Sequence, residues 1–195
     1  MTIYFLGGGN MAAAIIAGLH RAGRQNSVHV VNRGAEKREK LAALYGVKTS
    51  ATLPALTEHD VLVLAVKPQD MKSACKNIAT NGALVLSVAA GLSVDTLSRM
   101  LDGTRRIVRV MPNTPSQIGM GVSGMYAAEG LSEQDKQTAD SVMQPSGMVV
   151  WLAKEDEMHS ITGISGSGSA YVFYLMNALA QAAEQQGFSS EQARS

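Results

Sequence analysis

Apolar residues in the first two-thirds of the chain gather into short runs at 3–6, 28–32, 61–66, 84–88 and 107–110, rich in Val, Ile and Leu. The runs are nearly continuous and do not alternate apolar with polar, which is the pattern of strands covered on both faces. Between them lie amphipathic stretches at 10–22, 35–45, 69–80, 94–101 and 132–143, which predict helices. Pro68 suits a first helical turn and Pro145 a stop. Strands alternating with helices of this length pair in parallel through helical crossovers, so the pattern predicts an α/β protein with a doubly wound, mainly parallel sheet.

After Val149, Val150 and Trp151 the strand pattern ceases and helical spacing takes over. The predicted boundary divides a domain at 1–153 from the first part of a helical domain at 154–195. Tyr171, Tyr174, Leu175, Ala178, Leu179 and Ala182 recur every three or four residues on a helix expected at 169–186, with Gly187 ending it. Such a helix needs something to pack against. Ser189 to Gln192 resemble a fresh N-cap and first helical turn, so the protein is expected to continue beyond Ser195.

Chemistry enters between the first strand and the first helix. Gly7-Gly8-Gly9-Asn10-Met11-Ala12 is a G-x-G-x-x-A loop: Gly7 permits the tight turn, Gly9 admits a pyrophosphate to the backbone, and Ala12 lets helix and sheet pack closely. Free amides at the helix N-terminus then bind the anion. The strand before and the helix after supply the context of a Rossmann-type dinucleotide site. A site for NAD places an acidic residue about twenty residues on, to hold the ribose. Here that strand ends in Asn32 and Arg33, which predicts NADP(H) as the cofactor and NAD(H) as the weaker alternative, since an amide donates to a 2′-phosphate and a guanidinium grips it. Lys37 and Arg38 follow one turn later and are left unassigned.

Composition narrows the partners. Apolar residues make up 46% and charged residues 17%, with 17 Lys and Arg against 16 Asp and Glu. That low charge, against about 25% in typical domains, predicts surface covered by cofactor or by another copy of the chain. No basic stripe marks a nucleic-acid binder, and no apolar run reaches the length of a membrane span. The lone Cys75 and the lack of a leader-like N-terminus predict a cytoplasmic protein. Cys75 has no CxxC companion and is expected to be inert. His20, His29 and His59 are isolated, so no metal is expected. Glu155, Asp156, Glu157 and His159 read as a solvated, acid-rich turn. Ser165 fails the G-x-S-x-G pattern of a hydrolase nucleophile and follows helix instead of strand.

Several blocks together carry a resemblance: the loop from Phe5 to Ala12, Ala65-Val66-Lys67-Pro68, Ser87-Val88-Ala89-Ala90-Gly91, Arg109-Val110-Met111-Pro112-Asn113-Thr114-Pro115, and Gly163 through Tyr171. The chain resembles the pyrroline-5-carboxylate reductases. It departs from them at Ser169, where the family usually has Pro; a capping Ser preserves the helix start. The resemblance implies a Rossmann domain followed by an all-helical dimerisation domain, a homodimer or larger homo-oligomer, a small imine substrate, and reduction of that imine to L-proline with NADPH. It assigns Leu6, Gly7, Gly8, Gly9, Asn10 and Met11 to the pyrophosphate, Asn32 and Arg33 to the 2′-phosphate, and Ala65, Val66, Lys67, Pro68, Val88, Ala89 and Ala90 to the nucleotide cleft. Asn113, Ser165 and Gly166 fall near the nicotinamide or substrate; Asn113 reads equally well as a residue that satisfies backbone in its Pro-rich turn. The carboxylate-anchoring and catalytic residues are expected beyond Ser195. Two rivals stay open: another NADP-linked reductase of Rossmann-plus-helical build, either hydroxyacid- or deazaflavin-linked, and a non-catalytic NADP-binding sensor. A hydroxyacid dehydrogenase would want a Lys on the long helix, and residues 170–194 contain none.

Overall fold

The computed structural model describes residues 1–194. Eight strands form one sheet: β1 (Ile3–Leu6), β2 (Val28–Val31), β3 (Lys48–Ser50), β4 (Val61–Leu64), β5 (Leu84–Ser87), β6 (Ile107–Met111), β7 (Gly121–Ala127) and β8 (Gly147–Trp151). Their order across the sheet is β3-β2-β1-β4-β5-β6-β7-β8. All pairs are parallel except β6 with β7. The order reverses between β1 and β4, the position where doubly wound sheets open a ligand crevice.

The central strands feed both faces. In β4, Val61 and Val63 join one apolar cluster with Phe5, Ile15, Ile16 and Leu19, while Leu62 and Leu64 join another with Met71, Leu97 and Leu101. Helices α1 (Asn10–Arg21) and α5 (Glu133–Met143) cover the first face; α3 (Pro68–Ala74) and α4 (Val94–Met100) cover the second. Burying each Phe, Ile or Leu contributes about 1.5–3 kcal/mol, so these two layers hold the sheet together. Helix α2 (Ala35–Tyr45) packs through buried Leu41 and half-buried Tyr45 and ends on Gly46 at φ +66°.

Three strands escaped the sequence pattern. β3 is short and polar, and lies at the sheet edge. β7 reads Gly-Val-Ser-Gly-Met-Tyr-Ala, in which glycines break the apolar run. Both are there for space: a Cβ on Gly121 would sit 2.2 Å from Ser116 Oγ, and one on Gly124 2.8 Å from Ile161 Cγ1. β8 alternates half-buried with exposed residues as the other edge. The third helix is also shorter than expected, because Asn77 takes a positive φ of 64° and turns the chain. β4 and β5 stop before Val66 and Val88, so those residues lie in the loops beyond the strands.

After β8 the chain is helical. α6 (Glu157–Ile161) passes through a π-turn, Thr162–Gly166, into α7 (Ser167–Gln185). Ser169 therefore does not cap this helix: the helical path is continuous, and no free N-terminus remains for it to cap. At the other end Gly187, at φ +95°, donates to Glu184 O while Phe188 N reaches Ala183 O, a Schellman closure. No residue of α7 is buried. Ser189 and Gln192 cap one another reciprocally, but the turn that follows, Gln192–Arg194, is 3-10. Among the described residues no helix is long and apolar enough to cross a membrane.

Candidate active site

The carboxyl ends of β1, β2 and β4 meet around the glycine loop. Gly7 N donates to Val31 O at 2.9 Å, and Ala65 N to Leu6 O at 2.9 Å. Gly7 has φ +103°, and a Cβ there would lie 2.7 Å from Ala65 O, so both conformation and space demand glycine. Gly9 differs. Its backbone is extended, it caps α1 without a side chain, and a Cβ on it would meet nothing nearer than Ala65 O at 4.0 Å. The open space before Gly9 and the uncapped first turn of α1 form a cradle that a side chain would fill and a pyrophosphate fits. Ala12 is fully buried against the sheet.

From this cradle a cleft of about 840 Å³ runs along the strand ends, lined by Leu6, Gly7, Gly8, Gly9, Asn32, Arg33, Val66 and Lys67 among the residues expected there. Asn10, Met11 and Pro68 stand in the adjoining first turns of α1 and α3. Ala65 contributes its carbonyl to the seat of Gly7. Val88, Ala89 and Ala90 follow β5, one strand further on, and do not line the cleft. Thr52, Leu53, Asp70, Ser73, Lys76 and Asn77 also line it, and none of them belongs to a sequence motif. Their one available signal was position, since each follows a carboxyl-end turn or faces one. Arg33, Lys37, Lys67 and Lys76 outnumber Glu36 and Asp70 on the walls, a balance that suits a polyanion.

At the ribose end, Asn32 Oδ1 accepts from Gly8 N at 3.3 Å and its Nδ2 donates to Gly34 O at 3.2 Å. Asn32 thus ties the end of β2 to the phosphate loop as well as facing the cleft. The two basic residues left unassigned now separate. Arg38 Nη1 donates to Asn32 O at 2.7 Å and Arg33 O at 2.8 Å, bracing the turn, while Lys37 lines the cleft.

A second group forms beyond β6. Asn113 Oδ1 accepts from Val122 N at 2.9 Å, which fixes the amide, and its Nδ2 donates to Ser165 Oγ at 3.1 Å. Asn113 thus satisfies a backbone amide, as one of its two readings expects, and its own amide also reaches the π-turn. Gly166 is seated on Met111, whose Cε lies 2.6 Å from where a Cβ would stand. In contrast, Gly163 and Gly168 have nothing within 4 Å, so Gly166 is the closely packed glycine of this run. The acid-rich turn is not simply solvated. Glu155 pairs with Arg109 of β6 at 2.8 Å, and Glu157 Oε2 accepts from Ala153 N at 2.9 Å and Lys154 N at 3.2 Å. Sequence spacing could not show the Glu155 contact, because its donor comes from a strand 46 residues earlier. Cys75 is buried, and burial pushes its thiol up to about 11, consistent with an inert side chain.

Comparison with known proteins bears on both halves. A model of coenzyme F420-dependent NADP oxidoreductases matches residues 2–91, and a model of the pyrroline-5-carboxylate reductase dimerisation domain matches residues 155–195. The pyrroline-5-carboxylate reductase of Vibrio alginolyticus is 39% identical over 197 aligned residues, covering 98% of this chain and 72% of its own length. The chain belongs to the pyrroline-5-carboxylate reductase family. Among solved structures, the pyrroline-5-carboxylate reductase of Coxiella burnetii superposes with a TM-score of 0.84 at 38% identity, over 99% of this chain and 74% of that one. The Plasmodium falciparum pyrroline carboxylate reductase, solved with NADP bound, gives a TM-score of 0.84 at 26% identity, over 100% and 73%. The deazaflavin-linked alternative matches only residues 2–91, whereas likeness to this reductase family runs through the whole chain.

Proposed function

We propose that the protein reduces the imine of 1-pyrroline-5-carboxylate to L-proline with NADPH. The reading is carried by a cleft shaped and charged for a dinucleotide phosphate in a chain that is 39% identical to a pyrroline-5-carboxylate reductase across nearly its whole length. NADPH supplies a hydride to the imine carbon, and the nitrogen keeps or gains one proton, so the C=N bond becomes CH–NH. An imine carbon is already electrophilic, and the protein's work is to position it and exclude water.

Gly7, Gly8 and Gly9, with the first turn of α1 at Asn10 and Met11, would hold the pyrophosphate. Asn32 and Arg33 would meet the 2′-phosphate, and Val66 and Lys67 would close the opposite wall. Asn113 and Ser165, joined by their hydrogen bond, stand at the carboxyl end of β6, where the nicotinamide and substrate belong in this reading. No catalytic acid or base is assigned among the described residues.

The proposed division places the nucleotide domain at 1–153, closing just after β8, and the helical domain from 154 onward. The exposed apolar side of α7 and the match of 155–195 to a dimerisation domain support a homo-oligomer. The proposed location is the cytoplasm, resting on a single cysteine that has no partner within the chain. The test is loss of NADPH absorbance with 1-pyrroline-5-carboxylate, run beside 3-hydroxyacids in the oxidative direction. Turnover of the imine is expected; faster turnover of a hydroxyacid would overturn the reading.

A further inference from the structure

Three residues on β6 and the turn after it, spaced two apart, meet the helical segment. Arg109 reaches Glu155, Met111 seats Gly166, and Asn113 bonds to Ser165. Arg109 and Met111 share a face because side chains alternate along a strand. Of the three, Arg109 with Glu155 is the only ion pair among the described residues that joins the sheet to the segment after residue 153.

Its geometry is that of a strut. Glu155 Oε1 accepts from Arg109 Nη1 at 2.8 Å and from Val94 N, at the start of α4, at 2.7 Å. One carboxylate oxygen therefore ties β6, α4 and the entrance to α6. The side chains are 8% and 29% exposed, so solvent screens the pair weakly. Among the described residues Arg109 Nε is buried with no partner, and the guanidinium has its one hydrogen bond to Glu155. Besides this pair the segment is held by Ile161 against Gly124, Gly166 on Met111 and the Asn113–Ser165 bond, while α7 buries nothing and Met158 is the one buried residue of α6.

We infer that Glu155 is a positioning residue for reduction: through Arg109 and Val94 it sets where the Ser165 turn stands against the end of β6. The inference rests on the proposed function, because it matters to catalysis only if nicotinamide and substrate meet there. Residues that line the nucleotide cleft run from Leu6 to Ile78, so the adenosine and pyrophosphate contacts that dominate cofactor binding in this reading lie away from the strut. Hydride transfer depends on it, as a displacement of about 1 Å at the reacting atoms costs up to a hundredfold in rate.

The test compares Glu155→Ala with Glu155→Gln in the native oligomer. Glu155→Ala is expected to lower kcat by about tenfold or more and leave the NADPH dissociation constant unchanged. It should also raise the isotope effect with C4-deuterated NADPH, as hydride transfer becomes limiting, and speed tryptic cleavage after the exposed Lys154. Glu155→Gln, whose amide oxygen still accepts from Val94 N and Arg109 but leaves the guanidinium charge uncompensated, should keep more of the wild-type kcat than Glu155→Ala. If Glu155→Ala does not fold, Glu155→Asp, one methylene short of both donors, should show the same split. A folded Ala or Asp variant with wild-type kcat and isotope effect, or one that loses NADPH affinity in parallel, overturns the inference. Wild-type protein inactive on the imine would sink the function instead, leaving the cleavage rates to report on the strut.

Discussion

At the scale of single residues, two glycines of one loop serve different ends. Gly7 is held by its positive φ and by the carbonyl of Ala65; Gly9 faces space that the protein leaves open. Gly7→Ala should therefore lose stability first, with about 1–2 kcal/mol from the left-handed backbone alone and more from overlap with Ala65. Gly9→Ala should cost at most about 1 kcal/mol as a poorer helix cap and still weaken NADPH at least tenfold. Thermal melts and NADPH titrations on both variants check the pair. The sequence makes Asn32 the expected selector, and the structure adds that its oxygen accepts from Gly8 N while its amide donates to Gly34 O. In Asn32→Asp a carboxylate can still accept from Gly8 N, so the loop survives while the 2′-phosphate is repelled. The preference for NADPH over NADH should narrow or reverse, and unaltered affinities for both cofactors would remove Asn32 from the site. Glu155 was not legible. Nothing in Glu155-Asp156-Glu157 reveals that its partner, Arg109, lies in a strand 46 residues earlier.

At the scale of elements, the five apolar runs were readable because burial on both faces leaves no polar position to interrupt them. β3, β7 and β8 were not, since edge exposure and glycines forced by close contacts break the pattern. The start of α5 shows local and long-range chemistry sharing one carboxylate: Ser132 and Asp135 form a capping box, and Arg106 bonds Asp135 Oδ1 at 2.6 and 3.0 Å. Burial pushes the Asp135 carboxyl up, but the bonds from Arg106 and Ser132 outweigh it and hold the group below its ordinary value. A carboxylate depressed on folding stabilises fully above its unfolded pKa of about 3.9, and that stability fades as pH falls through the lower folded value. Asp135→Asn should accordingly lower Tm at neutral pH and flatten the loss of Tm below about pH 4, measured by melts across the acid range. An acid limb as steep as wild type would place the effect in other carboxylates.

At the scale of the molecule, the low charge of the sequence finds its counterpart in α7, where Tyr171, Val172, Phe173, Tyr174, Leu175, Met176 and Leu179 are 56–79% exposed. An apolar surface of that kind marks an interface. Sedimentation over a dilution series should give a dimer or larger, and Leu175→Glu should shift it toward monomer; a monomer at every concentration would contradict the proposed assembly. The mainly parallel sheet and the glycine loop followed from sequence because each rests on local pattern, whereas the joint between β6 and the π-turn rests on contacts that only the folded chain brings together. The account as a whole requires a hydride to pass from the cofactor in the cleft to the imine carbon. The direct test supplies NADPH deuterated at both C4 positions together with 1-pyrroline-5-carboxylate and analyses the proline formed by mass spectrometry. Proline bearing one deuterium on the former imine carbon, in equal amount to the NADPH consumed, is the expected result; unlabelled proline, or NADPH consumed without proline, would contradict it.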